Sequence, residues 1–260
     1  MAQLSVIIPV YNEGNNILRT LAAIDREVMI PHECLIVYDF EKDDTLTALA
    51  PVQPDRENLR LIKNRLGRGV LNAIKTGFEA ADAEVMLVTM ADLSDDLAAV
   101  PAMFDHVQRG ADVVCGSRYM PGGRQIGGPL VKGCLSRLAG LSLYHFFRFP
   151  VHDLTNSFKM YTRNVLSAVE IQSTGGFEIG MEIVVKAYLA GFRIAEVPTV
   201  WRDRTAGQSR FQLFKWIPRY AYWYGYAVAG ILQSGNRHGS NRRRGKATPL
   251  WRENRKRRRS

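Results

Sequence analysis

The segment that most constrains this chain is Val85 to Asp96, VMLVTMADLSDD, an apolar run that ends abruptly in three carboxylates. Val85, Met86, Leu87 and Val88 show no polar alternation, the pattern of a strand buried on both faces inside a parallel sheet. Asp92, Asp95 and Asp96 follow its carboxyl end, which in open α/β sheets is where ligands bind. Carboxylates crowded there repel one another unless a hard cation or a cationic side chain sits among them. Oxygen-ligated Mg²⁺ or Mn²⁺ is the usual partner where phosphates are held. The segment therefore points to a metal-diphosphate site. The competing reading is that Ser94 or an aspartate merely caps a helix over 95–109.

At 260 residues, 46% of them hydrophobic, the chain is long enough for one large α/β domain with a real core. Its formal charge of +10 is unevenly placed. Residues 236–260 hold 11 Lys and Arg against one acid, Glu253, so of the 35 basic and 25 acidic residues the remainder carries 24 of each. Cys34, Cys115 and Cys134 lie far apart without CxxC spacing, which argues against a disulfide framework or a zinc site and fits a reducing compartment. The opening residues, MAQLSVIIPV, enter a strand directly, so no signal peptide is expected. Tyr220 to Leu232, the longest apolar run near the end, has 13 residues. That is short of the roughly 20 needed to span a bilayer.

Taken in order, Leu4 to Val10 reads as the first strand, and YNEGNN then leads into a helix with Ile17, Leu18, Leu21 and Ile24 on one face. Glu33 to Tyr38 is a second strand, after which Asp43 or Asp44 can cap the helix TLTALA. Leu59 to Lys63 is a third, followed by a helix with Val70, Ala73, Ile74, Gly77, Phe78 and Ala81 facing inward. Four strands alternating with helices require a parallel sheet with right-handed crossovers. A dinucleotide fingerprint is missing: YNEGNN stands where GxGxxG belongs, Asn72 takes the place of a third glycine after Gly67 and Gly69, and no GxxxxGK[ST] occurs.

Beyond Asp96, Ala111 to Cys115 reads as a strand running into GSRYMPGGRQIGG, a glycine-rich loop expected to move. A helix is expected over 130–147, another around Ile179, Ile183, Val184 and Ala187, and a strand over Arg193 to Trp201. Arg118, Lys159, Arg202 and Arg204 fall in segments that can converge on the carboxyl ends. Pairing with Asp153, Asp203 or Glu196 is the alternative for each.

VIIPVYNE, VYDFEKDDT, GRGVLNAIKTGFEAA, MADLSDD, ADVVCGSRYMPGG, HDLTNSFKMYTR and EVPTVWRDRTAGQSRF occur in that order from about residue 4 to 215. Together they resemble the family-2 glycosyltransferases, and within them the dolichol-phosphate (polyprenyl-phosphate) mannosyltransferases and glucosyltransferases. The resemblance implies a GT-A fold, a nucleotide-sugar donor such as GDP-mannose or UDP-glucose, a divalent cation, Mg²⁺ or Mn²⁺, and inversion at the anomeric carbon. It places Pro9, Tyr11, Glu13 and Asp39 at the nucleotide and Asp92 at the metal on the diphosphate. It assigns Arg118, Lys132, Ser136, Lys159, Arg202, Arg204 and Arg210 to donor or acceptor phosphates, and matches Glu182 to an acid on the equivalent helix. Arg118, Lys159 and Arg204 join Asp92 as the expected catalytic set.

The chain departs from the family pattern at informative places. Met90 stands where the first Asp of D-x-D is usual, Tyr38 replaces the first Asp of VDDGS, Phe40 and Glu41 replace its Gly-Ser, and Ser157 replaces a common Gly. A thioether is a poor ligand for a hard cation, so Asp92 would bind metal with water, diphosphate oxygens, and Asp95 or Asp96. A polyprenyl phosphate needs no strong base because its attacking oxygen is already anionic. A hydroxyl of a glycolipid or polysaccharide precursor would need one, and Asp95 and Asp96 are the candidates. A nucleotide-sugar-binding protein weakened in turnover by Met90 is the other alternative.

The expected organisation is a catalytic domain over 1–215, an aromatic amphipathic helix over 216–235 and a disordered Arg-rich tail over 236–260. Trp216, Tyr220, Tyr222, Trp223, Tyr224 and Tyr226 suit a helix at a bilayer interface, and equally one packed on the domain or on a second subunit. The tail can attract anionic lipid. The expected location is cytoplasmic, peripheral on the cytoplasmic face of a membrane, with an integral-membrane partner or a homo-oligomer as further options. Nucleic acid is disfavoured, because the body carries no motif for it.

Overall fold

A computed structural model describes residues 2–203 and 213–240. Its central sheet is assembled from β1 (Leu4–Pro9), β2 (His32–Tyr38), β3 (Leu59–Lys63), β4 (Val85–Val88), β5 (Val113–Ser117), β7 (Lys159–Thr162) and β8 (Ile194–Pro198). The helices are α1 (Ile17–Glu27), α2 (Asp44–Leu49), α3 (Val70–Ala80), α4 (Val100–Gln108), α5 (Leu130–Phe147), α6 (Arg163–Ala168), α7 (Ile179–Leu189) and α8 (Leu213–Ser240). A small parallel pair, β6 (Arg124–Ile126) and β9 (Val200–Arg202), stands apart.

The sheet order is β3-β2-β1-β4-β7-β5-β8. All neighbours are parallel except β7, which runs antiparallel between β4 and β5. This mostly parallel sheet matches the expected α/β class. The strands alternate apolar residues between two cores, as a sheet covered on both faces must. Ile7, Leu35, Val37, Met86 and Val88 face α3, α7 and α8, while Val6, Ile8, Ile36, Val85 and Leu87 face α1, α2 and α4. Gly77 of α3 lies so close to Ile7 that a Cβ there would overlap the isoleucine side chain. On α1, Ile17, Leu21 and Ile24 are buried as expected, whereas Leu18 is exposed.

Sequence reading left β7 within a motif without giving it a strand, because four residues beginning with lysine offer no apolar run. Its direction matters: Lys159, at its start, sits opposite Val88 of β4 and Cys115 of β5. The preceding turn, 153–158, is thereby delivered to the carboxyl ends of the parallel strands. The glycine-rich loop carries β6, which β9 pairs through Arg124 N–H to Thr199 O and Asp203 N–H to Ile126 O.

The expected helices at 130–147 and around Ile179 are α5 and α7. The aromatic stretch lies within α8, which reaches Ser240. Its Trp223 and Ala227 are buried against the domain, with Trp223 Nε1 donating to Ser173 Oγ at 3.1 Å and Lys186 over the indole ring. Among the described residues no helix is long and apolar enough to cross a membrane.

Candidate active site

The carboxylate turn after β4 is built by its own side chains. Asp92 accepts from Ser94 N–H at 3.1 Å, and Leu93 between them adopts φ 58°. A bulky residue in the left-handed region is strained, and such strain concentrates at functional sites. Thr20 of α1 anchors the turn by donating to Ala91 O at 2.6 Å. Asp95 points inward, accepting from Thr89 Oγ1 at 3.0 Å and Met90 N–H at 3.2 Å. Burial first, and then the neighbouring Asp92 charge, push its carboxyl up to about 7. Asp96 accepts from Val200 N–H at 3.3 Å. Capping does not explain the cluster: α4 begins at Val100, not at 95, and no side chain caps it or the short 3-10 turn before it.

These facts bear on the cation. Met90 lies half-buried against the apolar core, where a thioether belongs. Among the described residues no three His, Cys, Asp or Glu side chains form a cage for a metal ion. Asp95 and Asp96 each accept a hydrogen bond from a protein donor. Asp92 suits a divalent cation carried mainly by diphosphate oxygens and water, the usual habit of Mg²⁺.

Beside this turn, β1 and β2 end in two loops that brace each other. Pro9 closes β1. Asn12 N–H donates to the Asp43 carboxylate, Glu13 N–H to Thr45 Oγ1 and Gly14 N–H to Asp44 Oδ1. Asp43 also caps α2 through Thr45 N–H, so of the two candidate caps it is the one used. Glu13 accepts from Asn16 at 2.8 Å. Asp39 receives Asn64 Nδ2 at 2.7 Å and Gly69 N–H at 2.9 Å, where Gly69 has φ 120°, so its carboxylate shapes the 64–69 loop. Tyr11, 42% exposed, meets Phe40 edge-on at 5.4 Å between centroids, and the Arg68 guanidinium lies 5.4 Å from the Phe40 centroid. This exposed aromatic-cationic shelf has the chemistry to receive a planar base.

The expected phosphate cations divide. Arg118 is buried and forks onto Asp153, with Nε to Oδ2 at 2.7 Å and Nη2 to Oδ1 at 3.0 Å; Nη2 also reaches Thr155 Oγ1. Burial opposes charge on both, but the pairing wins: Arg118 is held above and Asp153 below its ordinary range. Lys159 is wholly buried and donates to the carbonyls of Leu154 and Asn156, bracing the turn that carries Asp153; burial draws its pKa down. The pairing of Arg118 with Asp153 was the alternative given from sequence. Glu182, also wholly buried, accepts from Gln172 N–H, Ser173 N–H and Lys186, which ties the 170–173 segment to α7.

Arg202 ends β9 with its side chain exposed, and its N–H donates to Ser94 O at 3.0 Å, which brings it beside the carboxylate turn. Lys132 and Ser136 lie on α5, where Ser136 bonds Tyr119 OH. Arg204 and Arg210 lie outside the described residues. Sequence reading named Asp153 only as one of three possible partners and missed Tyr119. The Tyr119 ring meets the Arg118 and Arg137 guanidiniums at 4.8 and 5.9 Å from its centroid, and its hydroxyl donates to Gln125. The available signal was its place directly after Arg118 in a cation-rich loop.

Comparison with known proteins places this geometry. Over 233 residues the chain is 27% identical to a dolichol-phosphate mannosyltransferase of Pyrococcus furiosus, spanning 86% of this chain but 65% of that protein. Over 212 residues it is 29% identical to a polyprenol monophosphomannose synthase of Mycolicibacterium smegmatis, covering 79% of each. The fold resembles crystal structures of glucosyl-3-phosphoglycerate synthase from Mycobacterium tuberculosis solved with Mn²⁺ or Mg²⁺ and UDP. The TM-score is 0.61 at 16% or 15% identity, over 89% of this chain and 78% or 79% of that one. The profile described as "Glycosyl transferase family 2" matches residues 5–169. With that match over a GT-A fold, the chain belongs to glycosyltransferase family 2.

Proposed function

We propose that this enzyme transfers a hexose, with inversion, from a nucleotide-sugar such as GDP-mannose or UDP-glucose to a polyprenyl phosphate. The observation that carries the transfer chemistry is Asp92 on its strained turn at the carboxyl end of β4, with the Tyr11–Phe40–Arg68 shelf on one side and Arg202 on the other. The likeness to relatives named for dolichol-phosphate and polyprenol mannosyl transfer supports the acceptor.

In this reading Tyr11, Asp39 and the shelf seat the nucleoside. Asp92 orients the diphosphate through a divalent cation, which supplies positive charge against the charge that builds on the departing nucleoside diphosphate. Arg202, with Arg204 and Arg210, adds cationic donors for phosphates. Arg118 and Lys159 act from behind by fixing the 153–156 turn. An anionic acceptor oxygen needs no base, so this reading asks no proton transfer of Asp95 or Asp96, which accept protein hydrogen bonds. The enzyme works at the cytoplasmic face of a membrane, where such an acceptor presents its headgroup.

The test is a donor screen: full-length protein with Mg²⁺ or Mn²⁺, a panel of GDP- and UDP-sugars and a polyprenyl phosphate in detergent. Nucleoside diphosphate release that needs both metal and lipid phosphate, with a glycosyl phospholipid formed, is the expected result. Donor binding with turnover only on hydroxyl acceptors, or on none, would sink the proposal.

A further inference from the structure

The connection between α6 and α7 is fastened more closely than a surface loop requires. Its start is held by Glu182, wholly buried, which accepts from Gln172 N–H at 2.6 Å and Ser173 N–H at 2.8 Å, while Trp223 Nε1 donates to Ser173 Oγ. Its end is held by Glu178, 1% exposed, which accepts from Gly176 N–H at 2.7 Å and meets the Arg219 guanidinium of α8 at 3.6 Å. Burying carboxylates is unfavourable even when they are paired. A connection with no task beyond joining two helices does not require two of them.

What the fastening holds is a pair of glycines seated between two helices. A Cβ on Gly176 would stand 2.7 Å from the Trp216 ring of α8 and 3.3 Å from Val70 Cγ1, and one on Gly175 would overlap the Arg219 guanidinium and Glu178 Oε1. Arg219 itself lies 5.1 Å from the Trp216 ring centroid. Neither glycine has a positive φ, so close approach rather than backbone conformation accounts for both. Val70 is the first residue of α3, and Gly69 before it gives its N–H to the Asp39 carboxylate at 2.9 Å. At the other end of the stretch, a Cβ on Gly180 would stand 3.6 Å from Lys159 Nζ, the group that braces the 153–156 turn. Residues 175–180 therefore stand between the loop that Asp39 shapes and the turn that carries Asp153, with Trp216 and Arg219 against them from α8.

We infer that Trp216 and Arg219 are positioning residues of the donor site: they hold the Gly175–Gly176 turn against the start of α3 and thereby set where Asp39 meets the nucleoside. Neither side chain is asked to touch the donor, and both act through the contact of Gly176 with Val70. The first turns of α8 are then a working part of the transfer site and not only a packing partner of the domain. The inference rests on the assignment of Asp39 to the nucleoside given above.

Isothermal titration of GDP and UDP, each with Mg²⁺, into the full chain reads the effect without an acceptor. For the nucleotide that the parent binds, Trp216→Ala should weaken affinity about tenfold and Gly176→Ala about threefold, the range over which residues outside a site shift its affinity. Arg219→Gln should weaken it about fivefold, with Arg219→Lys restoring most of the loss, and this pair carries the same test should Trp216→Ala fail to fold. In turnover the loss should appear in KM for the donor, with kcat and the acceptor KM within about twofold of the parent. Placed on an Asp39→Asn background, Trp216→Ala should have a much smaller effect than alone, because the two act on one contact. Trp223→Phe, which releases Ser173 at the other end of the connection, is the structural control, with a lower melting temperature and unchanged nucleotide affinity. If Trp216→Ala and Arg219→Gln lowered only the melting temperature, or if their losses multiplied with that of Asp39→Asn as those of independent sites do, the positioning role would be overturned. A parent chain that binds neither nucleotide overturns the donor reading and this inference together. A parent that binds one, with the α8 variants binding it equally well, overturns this inference alone.

Discussion

Two groups of charged side chains stand at the carboxyl end of the sheet, and they are built on opposite principles. Asp39, Asp92 and the Tyr11–Phe40–Arg68 shelf lie on loops after β1, β2 and β4, where Asp39 accepts from Gly69 N–H, Asp92 from Ser94 N–H, and Tyr11 and Arg68 are exposed. Arg118, Asp153 and Lys159 are buried, and their hydrogen-bonding groups meet one another, the Thr155 hydroxyl or nearby backbone groups. Charges at loop ends can respond to a diphosphate, whereas charges paired with each other in a low-dielectric interior set geometry and are expensive to disturb. The comparison separates residues whose loss should show as lost turnover from those whose loss should show as lost fold.

The largest effect should come from breaking the buried pair. Asp153→Asn leaves the Arg118 guanidinium without its counter-charge, at a cost of about 3–5 kcal/mol in stability. Calorimetry should show a melting temperature lower by roughly 10 °C. A double replacement, Arg118→Met with Asp153→Leu, should recover much of that loss, because two buried charges are removed together. If Asp153→Asn instead kept full stability and lost only acceptor turnover, the two regions would not differ in the way described.

Among the loop residues, Asp92→Asn should lower kcat by roughly a hundredfold or more, the scale of a lost electrostatic stabiliser. Its melting temperature should stay within about 2 °C of the parent, since exchange of a carboxylate for its amide at a turn costs little. Steady-state kinetics beside a thermal melt measure both. Near-normal turnover would remove Asp92 from the metal site.

Asp95 sharpens the boundary, because it sits in the same turn as Asp92 and burial governs its proton. Folding raises its carboxyl from 3.8 to about 7, so the native state binds this proton more tightly than the unfolded chain. Its contribution to stability is therefore present at acidic pH and lost as pH rises through about 7. Asp95→Asn keeps an acceptor for Thr89 and Met90 and should stabilise the ligand-free protein by about 1–3 kcal/mol at pH 8, with little change at pH 4. Chemical denaturation at the two pH values reads the difference. A smaller effect is expected from Tyr11→Ala, which should raise KM for the donor by up to about tenfold with kcat nearly unchanged.

Much of the fold was legible because strand burial writes itself into composition. β1, β2 and β4 are runs of Val, Ile and Leu, and a sheet covered on both faces leaves them no polar alternation. β7 was not legible, since a four-residue strand that begins with a buried lysine looks polar until its partners are known. The site divided in the same way. Asp92 could be found because position alone, after the central strand, argues for it. The buried state of Arg118 and Lys159 could not be chosen from sequence, because a guanidinium free to meet phosphate and one forked onto a carboxylate are the same letter. Nor could the outward stripe of α5, where Leu130, Leu135 and Leu138 are exposed, because apolar residues at helical spacing ordinarily mark the side that faces the core.

By itself, then, the sequence determined the α/β class, the alternation of parallel strands with helices up to β4 and the carboxylate at its end, all properties carried by local runs and their spacing. Only the tertiary structure decided that β7 reverses between β4 and β5, that Asp153 claims Arg118, and that α5 turns its leucines outward. Each depends on which distant segments share a surface, and pairing energies between segments far apart in the chain leave no mark on either segment alone.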